Sequence, residues 1–327
     1  MKRIFNILFL IVLVAGCKKP VEDPVYTPTP YDLQLPAGFP EMTLQEDNPL
    51  TEESVVLGRM LYYDEKLHKD GDQACATCHV QQHAFTSDPD VLPHINLAWS
   101  RIYLWDGKIS GTMEEIMLFE VEKFFETNVD VFNADEDYKK LFKQAYGVDE
   151  ITSKEIAYAL SQFFRIMISG NSKFDKFLRD EAEFTNQEYL GYELFYTERG
   201  DCFHCHASVF MTDNLMHNNA LDSLPDPGYF KITSDSLDYG RFKSPTLRNI
   251  EYTAPYMHDG RYATLEEVVD FYSHDLQKSP TVDPLMKNLS KGGVQLNEEE
   301  KAALIAFLKT LSDPGFLTNP ELADPFK

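Results

Sequence analysis

Two copies of Cys-x-x-Cys-His, in "ACATCHV" at 74–80 and "DCFHCHA" at 201–207, constrain this chain more than any other feature. Four of its five cysteines are spent in these motifs, and the fifth is Cys17, so none remains for a separate disulfide framework. Two cysteines at this spacing can serve as a disulfide, a redox dithiol, half of a four-cysteine zinc site, or the double thioether anchor of a c-type haem. The residue after each second cysteine separates these. Haem attachment needs two thiols for the vinyl groups and an adjacent imidazole for the iron, and His79 and His206 supply the imidazoles. Zinc would leave both histidines unexplained. A thioredoxin-like dithiol calls for a preceding strand, where this chain shows helix-like patterns. The pattern favours two covalent c-type haems, one on Cys75, Cys78 and His79, the other on Cys202, Cys205 and His206.

The chain also repeats itself around the motifs. "LGRMLYYDE" at 57–65 precedes the first and "LGYELFYTE" at 190–198 the second; "WDGKISGTMEEIM" at 105–117 follows the first, and "HDGRYATLEEVV" at 258–269 follows the second with Gly111 as the one extra residue. Thr152 and Glu155 form a capping box before the helical stripe Ile156, Leu160, Phe163, Phe164 and Met167, and Asn297 and Glu300 do the same before Leu304, Phe307, Leu308 and Leu311. No long alternating strand pattern appears. The expected fold is mainly α, with two cytochrome c-like haem domains in tandem at 46–180 and 181–327.

At the N-terminus, Lys2 and Arg3 precede an apolar run from Ile4 to Ala15, too short to span a membrane and shaped like an export signal. It ends in "LVAGC", which resembles the bacterial lipobox, so residues 1–17 read as a lipoprotein signal with Cys17 as the lipidated residue. Residues 18–45, rich in Pro, Thr and Asp, read as an extended tether. The expected location is the periplasmic side of a bacterial envelope membrane, held by the lipid alone. A formal net charge of −23 disfavours nucleic acid as a partner and suits solubility or a cationic partner.

Taken with "LWDGK", "KFDKFLRDE" and "FKSPTLRNIEYTAPYMHDGRYATLEEVVDFY", the two motifs make residues 45–315 resemble the bacterial dihaem cytochrome c peroxidase family, which includes MauG. The resemblance implies that the N-terminal haem, with His79, is the peroxidatic one and that the C-terminal haem, with His206, stores or relays electrons. Trp105 would lie between them. The family's distal Glu falls on Glu126, its distal Gln on Ile116, and an intervening Pro on Glu120, which makes Glu126 the first and Glu120 the second candidate for the catalytic carboxylate. The family's Met ligand to the second haem falls on Tyr272, a residue MauG-like members use there. Met257, on the other side of the H-D-G motif, is set aside. In many members a His downstream of the first motif caps the resting peroxidatic haem; His94 is the freer candidate, His83 lying too close to His79. Arg248 is expected on a haem propionate. A calcium ion between the haems would take Asp90, Thr253 and Pro255. His217 has no assignable role.

The leading expectation is an enzyme that reduces hydrogen peroxide to water with electrons from a small cytochrome c or similar periplasmic donor, with homodimerisation as a further expectation. A MauG-like oxidase acting on a protein or organic substrate is the alternative among enzymes, and a non-catalytic dihaem electron-transfer cytochrome the alternative outside them.

Overall fold

Glycine at the centre of each repeated segment determines how the helices meet. The computed structural model describes residues 26–87 and 91–327, so Cys17 and Asp90, expected at the lipid and at calcium, lie outside the described residues. Helix α1 (Glu52–Tyr63) is capped by Thr51, whose hydroxyl accepts from the Ser54 N–H. The chain continues through α2 (Cys75–Cys78), a hairpin of β1 (Ile102–Tyr103) and β2 (Ile109–Ser110), α3 (Met113–Phe119) with a π-turn over Glu120–Phe124, α4 (Val129–Asn133), α5 (Glu136–Tyr146) and α6 (Ser153–Ile166). After α7 (Lys173–Leu178) the pattern recurs with α8 (Asn186–Phe195), α9 (Phe203–His206), β3 (Met216–His217), α10 (Phe230–Thr233), β4 (Phe242–Lys243), α11 (Leu265–His274), α12 (Glu298–Lys309) and α13 (Pro314–Thr318). The sheets are two short antiparallel ladders, Ile102 opposite Ser110 and Met216 opposite Lys243. The fold is mainly α.

α1 crosses α6, and α8 crosses α12, at points where the backbones touch. A Cβ on Gly58 would lie 1.9 Å from the Ala159 carbonyl oxygen, and one on Gly191 would lie 2.0 Å from that of Ala303. Both predicted capping boxes are present, Thr152 with Glu155 and Asn297 with Glu300. The two stripes are core: Ile156, Leu160 and Phe163 pack with Leu57, Leu61 and Tyr62 in one cluster, and Leu304, Phe307 and Leu311 with Leu194 and Phe195 in another. The chain end returns to the first cluster, where Phe316, Leu317 and Leu322 are buried. Arg59 donates to the carbonyls of Pro320 and Ala323 there, and Gln81 to that of Asn319.

Candidate functional site

The first Cys-x-x-Cys forms the single turn α2, and His79 follows as its C-cap. Ala84 and Phe85 both take left-handed backbone (φ 53° and 60°), and the resulting turn brings the Phe85 carbonyl to 2.7 Å from His79 Nδ1. Only Nδ1–H can donate to a carbonyl, so Nε2 carries the free lone pair. Burial pushes His79 down to about 4 and keeps the imidazole neutral, the form that coordinates a metal. His83 is exposed. His94 is half-buried and packs on His79 itself, the two rings stacked with centroids 3.4 Å apart and planes 16° apart. A ligand across the same iron would be separated from His79 by two metal–nitrogen bonds of about 2 Å each plus the ring radii. His94, expected as a cap on the open face, therefore stands on the face of His79.

The carboxylates expected near the first motif part company. Glu126 is at the surface, its side chain 58 % exposed and 3.1 Å from Lys69 Nζ. Glu120, on the first residue of the π-turn, is half-buried; burial pushes its carboxyl up to about 7, Lys108 offsetting only part of the effect. It is close enough to Cys75 to raise the thiol's pKa. The expectation ranks Glu126 ahead of Glu120; of the two, Glu120 is the half-buried carboxyl and Glu126 the exposed one. Ile116 is buried on α3.

The second motif repeats the first. His206 Nδ1–H donates to the Met211 carbonyl at 3.0 Å, and Met211, like Phe85, has left-handed backbone (φ 55°). Cys202, Cys205 and His206 line a cavity of about 240 Å³ whose wall is mostly apolar and includes Trp105, Met257 and Tyr272. Burial pushes the Tyr272 hydroxyl up to about 12, and it accepts from Asn219 Nδ2 at 3.0 Å. The same amide lies 3.7 Å from Met257 Sδ. Met257, set aside on its position in the sequence, thus shares the cavity with Tyr272.

Trp105 sits in the β1–β2 turn, its carbonyl accepting from the Lys243 N–H at 2.9 Å, so the hairpin of the first half closes the cavity of the second. One donor in this wall has no protein acceptor, and a second, charged one has a single neutral acceptor. Trp105 Nε1 is buried with no acceptor. Lys243 is 6 % exposed, and its ammonium meets only the neutral Asn214 Oδ1, at 2.6 Å; burial lowers it to about 8. A buried ammonium and a buried indole N–H beside an apolar cavity fit a flat apolar group with carboxylate arms, as haem is. Sequence reasoning missed Lys243 and Asn219, which carry no motif of their own. His217, without a role in the sequence, has both ring nitrogens 2.7 Å from carboxylates, Asp213 and Asp283. Burial lowers its pKa, and the hydrogen bonds it donates to Asp213, Cys205 and Asp283 raise it to about 11. Both nitrogens therefore donate, and the ring is a fixed imidazolium.

Arg248, expected on a propionate, is 1 % exposed and committed elsewhere: its guanidinium holds Asp175 in two hydrogen bonds of 2.9 Å and also donates to the Val209 carbonyl. Asp175 lies 73 residues away on α7, a partner local sequence does not reveal. Thr253 and Pro255 line the second cavity.

The family model for di-haem cytochrome c peroxidase matches residues 52–183. Over 298 residues the chain is 32 % identical to the methylamine utilization protein MauG of Methylorubrum extorquens, covering 84 % of this chain and 83 % of that protein. Over 306 residues it is 29 % identical to the cytochrome c551 peroxidase of Nitrosomonas europaea, covering 85 % of each. Among solved structures, a MauG-like protein associated with microbial copper homeostasis superposes with a TM-score of 0.81 at 32 % identity, over 91 % of this chain and all of that one. With its two Cys-x-x-Cys-His sites built alike, the chain belongs to the di-haem cytochrome c peroxidase and MauG family.

Proposed function

We propose that the chain is a dihaem peroxidase that reduces hydrogen peroxide to two waters, drawing two electrons from a small cytochrome c or similar donor and two protons from solvent. The observation that carries the reading is Glu120, a half-buried carboxyl held near neutrality beside the first motif. Haem on the two motifs supplies one iron that reacts with peroxide and a second that stores or relays electrons. His79 and His206 would hold these irons through Nε2, each ring oriented by a backbone carbonyl. The Glu120 carboxylate takes the proton from one peroxide oxygen and returns it to the other, which leaves as water; a group titrating near 7 does both at neutral pH. Trp105, in the wall of the second cavity, would pass electrons between the two haems. Steady-state oxidation of a reduced cytochrome c by peroxide tests the reading, and a loaded protein without turnover overturns it.

Tyr272 favours a second reading, a MauG-like oxidase acting on a protein or organic substrate. A phenolate on the second iron stabilises the ferric state where a thioether would stabilise the ferrous one, and Tyr272 faces the cavity with its hydroxyl held by Asn219. Tyr272→Phe should change the low-spin ferric spectrum of the C-terminal haem and leave the N-terminal haem as it was. If Met257→Leu does so instead, Met257 is the ligand.

The two halves, 46–180 and 181–327, are read as haem domains in tandem. A calcium ion between them would take Thr253, Pro255 and Asp90, and chelation should then change the haem spectra. Lipidation of Cys17 would place the enzyme on the periplasmic side of an envelope membrane; Cys17→Ser should release it, haem-loaded, into the soluble periplasm. Sedimentation tests homodimerisation.

A further inference from the structure

His94 is the candidate cap of the resting haem, and its surroundings give it a different task. Its ring stacks on that of His79 at a centroid distance of 3.4 Å, and the ring of Phe164 on α6 lies 4.6 Å away, tilted by 55°. Its Nδ1 is 3.0 Å from the hydroxyl of Tyr62, a fully buried residue of α1, and that hydroxyl reaches the His79 carbonyl at 3.4 Å. A tyrosine hydroxyl accepts from one group while donating to another, so His94 Nδ1–H to Tyr62 to the His79 carbonyl forms one continuous chain. The Phe85 carbonyl that accepts from His79 Nδ1 also accepts from the His94 backbone N–H, at 3.3 Å. His79 is therefore held by its ring face, its ring nitrogen and its backbone. Each hold includes His94 or a group bonded to it.

We propose that His94, anchored by Tyr62, is a positioning residue for His79, fixing the plane of the proximal imidazole on the first haem's iron. The proposal rests on His79 being that ligand. An imidazole bound to iron through Nε2 turns freely about the Fe–N axis unless its face or its Nδ1–H is held, and the turn changes overlap with the metal orbitals. A single Nδ1–H bond restrains the axis; a stacked ring restrains the plane. Among the described residues no ring stacks on His206, so the lock separates the reacting centre from the relay.

The experiment uses the haem-loaded protein and the Fe–His stretching band of the reduced N-terminal haem in resonance Raman, with electron paramagnetic resonance of the oxidised protein. His94→Ala should shift and broaden the band while the ferric spin state and the C-terminal haem stay as they are. His94→Phe, which keeps a flat ring on His79, should restore a narrow band, and Tyr62→Phe should give a smaller shift. If His94→Ala loses haem, the Phe and Tyr62 variants carry the same comparison. An unchanged band in all three overturns the proposal. So does conversion of the N-terminal haem from low spin to high spin in both His94 variants, which would make His94 an iron ligand. A wild-type band that survives His79→Gly would overturn it through the ligand assignment, a failure distinct from the others.

Discussion

Glu120 and Glu126 lie on one segment, yet water reaches the second and is largely kept from the first. The carboxyl of Glu120 has lost solvation and titrates near 7, whereas Glu126 rests at the surface on Lys69. A carboxylate that moves a proton in peroxide cleavage contributes about 10² to 10⁴ in rate. Glu120→Gln should lower kcat/KM for peroxide on that scale, with both haem spectra kept; Glu126→Gln should leave it within about twofold. The pH profile carries a second check. Acting first as a base, Glu120 must be ionised, so peroxide turnover should climb as the pH passes about 7, and the climb should vanish in Glu120→Gln. Stability runs the other way. With its pKa raised from 4.5 to about 7, the native state holds a proton the unfolded chain has released, so this contribution is whole below 4.5 and is lost as the pH rises through 7. Equal rates in the two glutamine variants would remove Glu120 from the chemistry. Position in the family pattern singles out Glu126 and says nothing of burial. The π-turn over Glu120–Phe124 and the left-handed backbone at Glu126 (φ 47°) lie between the covered and the exposed carboxylate, and neither leaves a mark in composition.

Helix pairs show the reverse, since their local chemistry is strict enough to read. A capping box needs two residue types three apart, and a touching crossing needs a residue without a side chain; both are written in the chain at 58, 152, 155, 191, 297 and 300. At the crossings the first atoms a new methyl would meet are backbone, which cannot rotate away: the Ala159 carbonyl for Gly58, the Ala303 carbonyl for Gly191. Forcing extra atoms into a packed core costs about 1–3 kcal/mol and sometimes more. Gly58→Ala and Gly191→Ala should each destabilise the protein by at least that amount in urea unfolding, despite the better helix propensity of alanine. A stabilised variant at either position would mean the helices can part without loss. What the repeat could not disclose is which partner fills each socket. Arg248 is a case: its two-pronged head suits any carboxylate, and the chain brings Asp175 to it through the placement of α7, a tertiary choice.

At the scale of the whole molecule, the chain end decides whether the two halves are separable. Asp313, just before α13, accepts at Oδ2 from the N–H groups of Gly170 (3.2 Å) and Asn171 (3.0 Å) in the connector, and its own N–H donates to Asn249 Oδ1 at 2.7 Å. Asn249 in turn donates to Ser169 Oγ at 2.9 Å, and the backbone N–H of Ser169 donates to Asn96 Oδ1 at 2.9 Å. These buried groups link the loop of the first half, the connector, the second half and the tail in one satisfied network, which is costly to break at any single member. Beyond it Phe316 enters the first core and meets Phe85 edge to face at 5.4 Å, against the residue whose carbonyl orients His79. The segment around α13 thus packs against the residue that orients His79. Removing a buried phenyl costs about 3–5 kcal/mol. Phe316→Ala should lose stability on that scale, and because the network joins the halves, the loss should show equally in far-ultraviolet dichroism and in the absorption of both haems, as one shifted transition. If the C-terminal haem unfolds at its original denaturant concentration while the N-terminal one melts early, the halves are independent and the tail is only a local patch. If neither moves, the Phe316 contact with Phe85 adds nothing to stability.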